Sequence, residues 1–147
     1  MKRILITLCA FAVTTLAVAQ QKGVAPQKAD AVVKFTETKH NFGKIKQGVP
    51  VTFDFAFQNV GTKPAVIESA TASCGCTTPT WPKTPVTKNK IDKISAGFNA
   101  VAPGPFDKTI TVKVAGYDQP LELRISGEVL SVEDYAKYEA TRSKKNG

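Results

Sequence analysis

The chain has 147 residues, 42% of them hydrophobic, and a formal net charge of +8. This length suits a single domain with a sizeable core, so no disulfide framework is needed for folding. The positive charge comes mostly from scattered lysines, whereas nucleic-acid readers cluster arginine with stacking aromatics on one face. Composition therefore argues against nucleic-acid binding and indicates a solvated basic surface.

The N-terminus has the parts of a secretory signal peptide. Met1-Lys2-Arg3 is followed by an uncharged run over residues 4–18, and Ala17-Val18-Ala19 precedes Gln20 as a cleavage pattern. The run is about 15 residues long, short of the roughly 20 that span a bilayer, and no second such run follows. We predict cleavage between Ala19 and Gln20. The product would be periplasmic or secreted, with 18 basic and 12 acidic residues, and not an integral membrane protein.

Strands dominate the rest of the chain. Residues 20–31 are polar without periodicity and predict a flexible leader. In the clearest strand, Val51, Phe53, Phe55 and Phe57 alternate with mostly polar residues and must share one face. The predicted strands are residues 32–37, 51–58, 65–72, 91–98, 106–114 and 121–129.

This order of elements predicts the fold class. Short alternating runs without intervening helices indicate an all-β, immunoglobulin-like antiparallel sandwich of about seven strands over residues 32–130. Residues 131–147 are predicted to form a short helix and a basic tail. Ser131-Val132-Glu133-Asp134 resembles a capping box that starts the helix towards Tyr138, and the tail from Arg142 is expected to fray.

Cys74-Gly75-Cys76 is the motif with the clearest chemical implication. Closing so small a ring removes only about 1.6 kcal/mol of unfolded-state entropy, so a stabilising staple is a poor explanation. A disulfide needs a bend at Gly75 and is expected to be strained and easily reduced. Three interpretations stay open: a disulfide or dithiol of local structural use, a Cu(I) or other soft-metal site on Cys74 and Cys76, and a thiol–disulfide exchange centre.

The two chemical interpretations each lack a component. A structural zinc site needs four ligands, and beyond the cysteines the chain offers only His40 and carboxylates. Exchange needs a thiolate stabilised by a cation or a helix N-terminus, and the nearest basic residue in sequence is Lys83. We therefore expect no cofactor, with Cu(I) as the alternative.

Trp81 and His40 are the other candidate binding residues. Trp81 lies in a proline-rich segment between Cys74 and Lys90 that predicts a loop or a sheet edge. It either contacts a partner or covers the open end of the sandwich, and we favour the cover because large aromatics usually bury most of their area. The segment His40-Asn41-Phe42-Gly43 predicts a structural turn with positive φ at Gly43, rather than a catalytic base.

Several of these motifs, in this order, resemble one family. They are His40-Asn41-Phe42-Gly43-Lys44-Ile45, Phe55-Ala56-Phe57-Gln58-Asn59-Val60-Gly61, Ser73-Cys74-Gly75-Cys76-Thr77, Trp81-Pro82 and Pro103-Gly104-Pro105-Phe106-Asp107-Lys108. Together they resemble the exported bacterial domain-of-unknown-function family numbered 1573, over about residues 33–130. The resemblance implies an immunoglobulin-like sandwich related to Hydin and major-sperm-protein domains, without an established activity. Thr87-Lys88-Asn89-Lys90 departs from the Pro-Gly-Glu-like turn usual there.

The sequence contains no complete catalytic set, and no Gly-x-Ser-x-Gly elbow accompanies the single histidine. We therefore predict a non-enzymatic binding or scaffold module for an unidentified protein or envelope partner. Its candidate contact surface is residues 73–85, with Cys74, Gly75, Cys76, Trp81 and His40 as candidate binding residues. Soft-metal binding and thiol–disulfide exchange remain the alternatives.

Overall fold

The computed structural model describes residues 28–145. The predicted signal peptide, its cleavage site between Ala19 and Gln20 and most of the predicted leader lie outside this range. The elements are β1 (Val33–Phe35), β2 (Lys39–Lys46), β3 (Val51–Asn59), β4 (Ile67–Ala72), β5 (Thr77–Thr80), β6 (Ile91–Phe98), β7 (Gly104–Val114), β8 (Leu121–Leu130) and α1 (Val132–Lys145). Within residues 28–145, α1 and every other helical segment is too short or too polar to cross a membrane.

The strands form two four-stranded sheets that pack face to face. One sheet has the order β1-β3-β6-β5 and the other has the order β2-β8-β7-β4. Neighbouring strands are antiparallel except β2 and β8, which are parallel. The predicted immunoglobulin-like sandwich is confirmed, with eight strands and one parallel pair.

The core follows from the predicted alternation. In β3, Phe55 and Phe57 are fully buried, while Asp54 between the apolar positions is exposed. The two sheets meet where Phe98 of β6 stacks on Phe106 of β7, with ring centroids 4.0 Å apart. Successive side chains of a strand point alternately to the core and to solvent, so this pattern fixes the inner face of each sheet.

His40 lies in strand β2 and not in the predicted turn. The pairing of β2 with β8 shifts between Asn41 and Lys44, which marks a β-bulge. Gly43 in the bulge has the predicted positive φ, +67°, and its N–H donates to Asn41 Oδ1 at 2.7 Å. The bulge breaks the alternation of the strand, and a period of two is therefore not visible in its sequence.

The packed domain begins before the predicted boundary at residue 32. Ala29–Ala31 form a 3₁₀ turn, and the side chain of Ala29 is buried. Lys28 makes a β-bridge with Gln119 in the β7–β8 connection. Residues 28–31, which the sequence assigned to the leader, therefore belong to the sandwich because their backbone and one apolar side chain contact it.

The C-terminal helix is longer than predicted. Ser131 Oγ accepts the N–H of Asp134 at 3.1 Å and also donates to its carboxylate, so the predicted N-terminal cap is present. The helix continues to Lys145, whereas the sequence predicted a short helix towards Tyr138 and a tail that frays from Arg142. Tyr138 lies beneath the ammonium of Lys44, 5.3 Å from its ring centroid, which ties α1 to β2.

Candidate functional site

Three strand connections meet at the end of the sandwich that carries the cysteines. They are residues 47–50, 73–76 and 99–103, and we call them together the disulfide end. Hydrogen bonds join the three: Gly48 N–H to Ala100 O at 2.9 Å, Asn99 N–H to Cys76 O at 3.1 Å, and the Gln47 side-chain amide to Val101 O at 3.0 Å. The connections therefore hold one another in place and present a single surface.

Cys74 and Cys76 form a disulfide in this surface, with Cα atoms 5.4 Å apart. The bend predicted at Gly75 is a turn closed by the Thr77 N–H, which donates to Cys74 O at 3.3 Å. Both cysteines are half-buried and Gly75 is exposed. A side chain at Gly75 would meet no atom within 4 Å, so this face of the turn opens to solvent.

Thr77 is the side chain that contacts Cys74. Its Oγ1 lies 3.8 Å from Cys74 Sγ, within hydrogen-bonding range for sulfur, and the residue is only 4% exposed. Within residues 28–145 this sulfur is the only hydrogen-bond partner of the hydroxyl. Thr77 was not among the site residues predicted from the sequence, although a hydroxyl residue directly after Cys76 was an available signal.

The disulfide end carries no charged residue among its thirteen positions. Val49 is 49% exposed and Val101 is 63% exposed, and Pro50 and Pro103 beside them are exposed as well. Charged residues make up 22% of the chain, so an uncharged surface of this size is unusual for it. Depletion of charge around exposed apolar side chains is typical of the centre of a protein–protein interface.

A shallow groove of about 180 Å³ lies beside the disulfide, on the outer face of the sheet that contains β3, β6 and β5. Gly97 is paired in register with Thr52 on one side and Thr78 on the other. A Cβ at Gly97 would lie 3.0 Å from Thr78 Oγ1 and 3.7 Å from Thr52 Oγ1, so glycine keeps this part of the groove open. Cys76 lines the groove and Cys74 does not.

Trp81 does not lie at the disulfide end. It follows β5, is half-buried and packs against the hydrophobic core, and its Nε1 is buried without a hydrogen-bond partner among the described residues. The ammonium of Lys83 lies 3.3 Å from the centroid of its ring. The geometry supports Trp81 as a cover for the core. Lys83, the basic residue nearest to the cysteines in sequence, lies over the indole ring.

His40 is separated from the cysteines by the width of a sheet. It belongs to β2 at one edge, whereas β4, which leads into the disulfide turn, forms the other edge. Its ring stacks on Phe53 with centroids 3.6 Å apart. Within residues 28–145 no group of three or more His, Cys, Asp and Glu side chains has the geometry of a metal site. The copper alternative stays a prediction and requires reduction of the disulfide, since thiolates are the ligands.

The predicted contact segment, residues 73–85, is divided among three environments. Its first four residues belong to the disulfide end, Thr77–Thr80 form the edge strand β5, and residues 81–85, which begin with Trp81, follow that strand. Cys76 O accepts the Asn99 N–H on the β6 side. Because the backbone polar groups of successive strand residues point to alternate sides, those of Thr77 and Pro79 point to the open edge of the sheet. Because Pro79 has no N–H, this edge is a poor template for an added strand. The predicted loop or sheet edge is confirmed as an edge strand with flanking loops.

The opposite end of the sandwich is held by Asn59, and we call residues 59–65, 86–90 and 115–119 the Asn59 end. Asn59 is 0% exposed. Its side chain donates to Lys63 O at 2.8 Å and to Val86 O at 2.7 Å, and it accepts the Gly61 N–H at 2.9 Å. The exposed turns of this end are charged, with Lys63, Lys88, Lys90 and Asp118.

Comparison with known proteins assigns the family. The model of a family described as "Protein of unknown function (DUF1573)" matches residues 33–129. The chain belongs to the DUF1573 family. A search of curated proteins finds no match. The family match gives this DUF1573 domain no activity.

Solved structures resemble this DUF1573 domain in fold. A protein of unknown function from Porphyromonas gingivalis W83 has a TM-score of 0.58 at 13% identity, and the alignment covers 67% of this chain and 46% of that one. The ASH/PapD-like domain 7 of human CEP192 has a TM-score of 0.56 at 13% identity, with 74% and 94% covered. The VesB protease of Vibrio cholerae has a TM-score of 0.53 at 14% identity, with 67% and 32% covered. At such identities the likeness shows a PapD-like, immunoglobulin-like fold alone.

Proposed function

We propose that this DUF1573 domain is an exported, non-enzymatic binding or scaffold module that docks a partner protein on its disulfide end. The observation that carries the proposal is the exposure of Val49 and Val101 on a surface without charge. Apolar side chains that are exposed together lower the solubility of a domain. A partner protein that covers them would explain why they are exposed.

The chemistry of the surface indicates the chemistry of the partner. The disulfide end has no charged group to pair with a charged partner, so its complement is an uncharged surface with apolar side chains. The hydrogen bonds of Gly48 and Asn99 already fix the connections, so docking orders little additional backbone. Preorganised surfaces of this kind lose less conformational entropy on binding.

Export is supported by two independent features. The N-terminal pattern ending at Ala19 is that of a cleaved signal peptide. The Cys74–Cys76 disulfide is a bond that persists in oxidising compartments such as the periplasm. The intact mass of the protein purified from its cells tests both: we expect a chain that begins at Gln20 and lacks the two thiol hydrogens. A chain that retains Met1 would contradict export.

Two matched double variants test the docking surface. Val49→Asp with Val101→Asp places two carboxylates on the disulfide end. Val60→Asp with Ile91→Asp places one carboxylate in the Asn59 end and one directly beside it, and these residues are 41% and 71% exposed. Tagged full chains are purified under native conditions from the envelope of the cells that make them. We expect a partner in fixed ratio to the wild type and to the Val60/Ile91 variant. The Val49/Val101 variant should bind at least about 100-fold more weakly, because the partner would have to desolvate the carboxylates.

Two outcomes contradict the proposal. In one, wild type carries no partner in fixed ratio. In the other, the Val60/Ile91 variant loses the partner as completely as the Val49/Val101 variant, which would place the contact elsewhere.

A further inference from the structure

We propose that the Cys74–Cys76 disulfide exchanges with thiols and that the two sulfurs have fixed roles: an incoming thiolate attacks Cys76, and Cys74 leaves as a thiolate that Thr77 stabilises. The substrate class is a small or protein-borne thiol. This chemistry goes beyond the proposed docking function and does not depend on it, because any thiol that reaches the groove is a reactant.

The groove selects Cys76 as the sulfur that is attacked. Cys76 and Gly75 line it, and Cys74 is not part of its wall. Gly97 leaves the groove open between two threonine hydroxyls, where a side chain would lie 3.0 Å from Thr78 Oγ1. A thiol that lies along the outer face of the sheet therefore meets Cys76 first.

The buried hydroxyl of Thr77 selects Cys74 as the leaving sulfur. Its Oγ1 is 3.8 Å from Cys74 Sγ, and the residue is 4% exposed, so water competes little for this hydrogen bond. A hydrogen bond to the charged form of a group favours that form, and a thiol of lower pKa leaves faster. A donor beside Cys74 therefore directs the electron pair of the broken bond to this sulfur.

Thr77 supplies the stabilisation of the thiolate that is not evident from the sequence. No residue of the disulfide end is charged, and Lys83 lies over the ring of Trp81. Cys74 precedes β5, so no helix N-terminus adjoins it. Among the described residues, the hydroxyl of Thr77 is the hydrogen-bond partner of the Cys74 sulfur.

The reaction balances with a thiol as the only co-reactant. A thiolate forms a bond to Cys76 Sγ, the bond between the two cysteine sulfurs breaks, and its electron pair goes to Cys74 Sγ. The mixed disulfide on Cys76 is then attacked by a second thiolate, which releases a disulfide of the two thiols and leaves Cys76 as a thiolate. Both cysteines take up the protons that the two thiols lost, so the protein is reduced to the dithiol and the thiols are oxidised.

Single-cysteine variants of the mature chain test the assigned roles. Cys76→Ser leaves the Cys74 thiol, Cys74→Ser leaves the Cys76 thiol, and the rate of alkylation by iodoacetamide is measured against pH. We expect Cys74 to ionise about one pH unit lower than Cys76, since a hydrogen-bond donor favours the thiolate. Adding Thr77→Val should remove this difference, and Thr77→Ser should keep it because serine retains the hydroxyl. Thr80→Val is the control, since Thr80 lies on the exposed face of the same strand and does not line the groove.

Reduction of the wild-type disulfide by glutathione tests the exchange itself. Thr77→Val should slow the reaction about tenfold, the size expected for losing one hydrogen bond to a charged group, whereas Thr77→Ser and Thr80→Val should leave it unchanged within about twofold. Fragmentation mass spectrometry of the acid-quenched intermediate should place glutathione on Cys76. Glutathione on Cys74, equal ionisation of the two thiols, or an unaffected rate in Thr77→Val would each overturn the proposal. If the valine variant unfolds, the position of the glutathione adduct and the ionisation of the two single-cysteine variants still decide the proposal.

Discussion

The two ends of the sandwich close their strand connections with different chemistry. At the Asn59 end a fully buried amide binds three backbone groups, and the exposed turns carry charged residues such as Lys63. At the disulfide end, backbone hydrogen bonds join the connections, one of which carries the Cys74–Cys76 disulfide, and Val49 and Val101 are exposed among thirteen positions without a charged residue. A buried polar network serves stability, whereas an uncharged exposed surface serves contact. We infer that the Asn59 end stabilises the fold and the disulfide end meets other molecules.

The largest expected loss of stability comes from a substitution at the Asn59 end. Asn59→Ala removes three hydrogen bonds and leaves the Gly61 N–H without its partner in a buried site, although Val86 O keeps the bond from the Ala65 N–H. The free energy of unfolding should therefore fall by about 3 kcal/mol. Urea denaturation measures this loss. The control is Gln58→Ala, which removes one exposed hydrogen bond to Asn89 O and should lose no more than about 1 kcal/mol. Equal losses in the two variants would refute a special role for the buried amide.

A smaller effect is expected from the disulfide. Replacing Cys74 and Cys76 together by serine should lower the free energy of unfolding by about 1.6 kcal/mol, because so short a loop constrains the unfolded chain little. The same urea denaturation, run on the oxidised wild type and the double variant, gives the difference. A loss larger than that of Asn59→Ala would make the disulfide a structural staple and would reverse the contrast between the two ends.

The smallest effect on stability is expected from the exposed valines. Val49→Ser and Val101→Ser remove side chains that lie largely in solvent, so each should change the free energy of unfolding by no more than about 0.5 kcal/mol. Thermal and urea unfolding both check this. Losses above about 2 kcal/mol, typical of truncated core residues, would mean that the valines belong to the core and not to a contact surface.

Period-two patterns predicted most of the sandwich, because most strands have apolar residues on the face towards the core and polar residues on the face towards solvent. In β3 the alternation from Val51 to Phe57 coincides with the observed strand. The rule fails in β2, where the bulge at Gly43 moves Ile45 to the inner face out of phase with Phe42. It fails again in β5, an edge strand of four residues that includes Pro79 and has no apolar face.

The candidate site was only partly predictable, because sequence spacing does not show which distant segments pack together or which residues are buried. The spacing of Cys74 and Cys76 pointed to local chemistry, but sequence spacing does not show that residues 47–50 and 99–103 fold against the cysteine turn. Thr77 and Asn59 look like ordinary turn or strand residues until their burial is known. His40 and Trp81, which are conspicuous by type, contact Phe53 and the core and lie apart from the cysteines.

Site-specific photo-crosslinking tests the contrast between the two ends most directly. A benzophenone side chain is introduced at Val101 in the disulfide end and, in a second protein, at Val60 in the Asn59 end, and both are irradiated in intact cells that make the protein. We expect a discrete crosslinked partner from position 101 that disappears when Val49→Asp is added, and none from position 60. A crosslink from position 60 alone, or equal crosslinks from both positions, would contradict the assignment of the disulfide end as the contact surface.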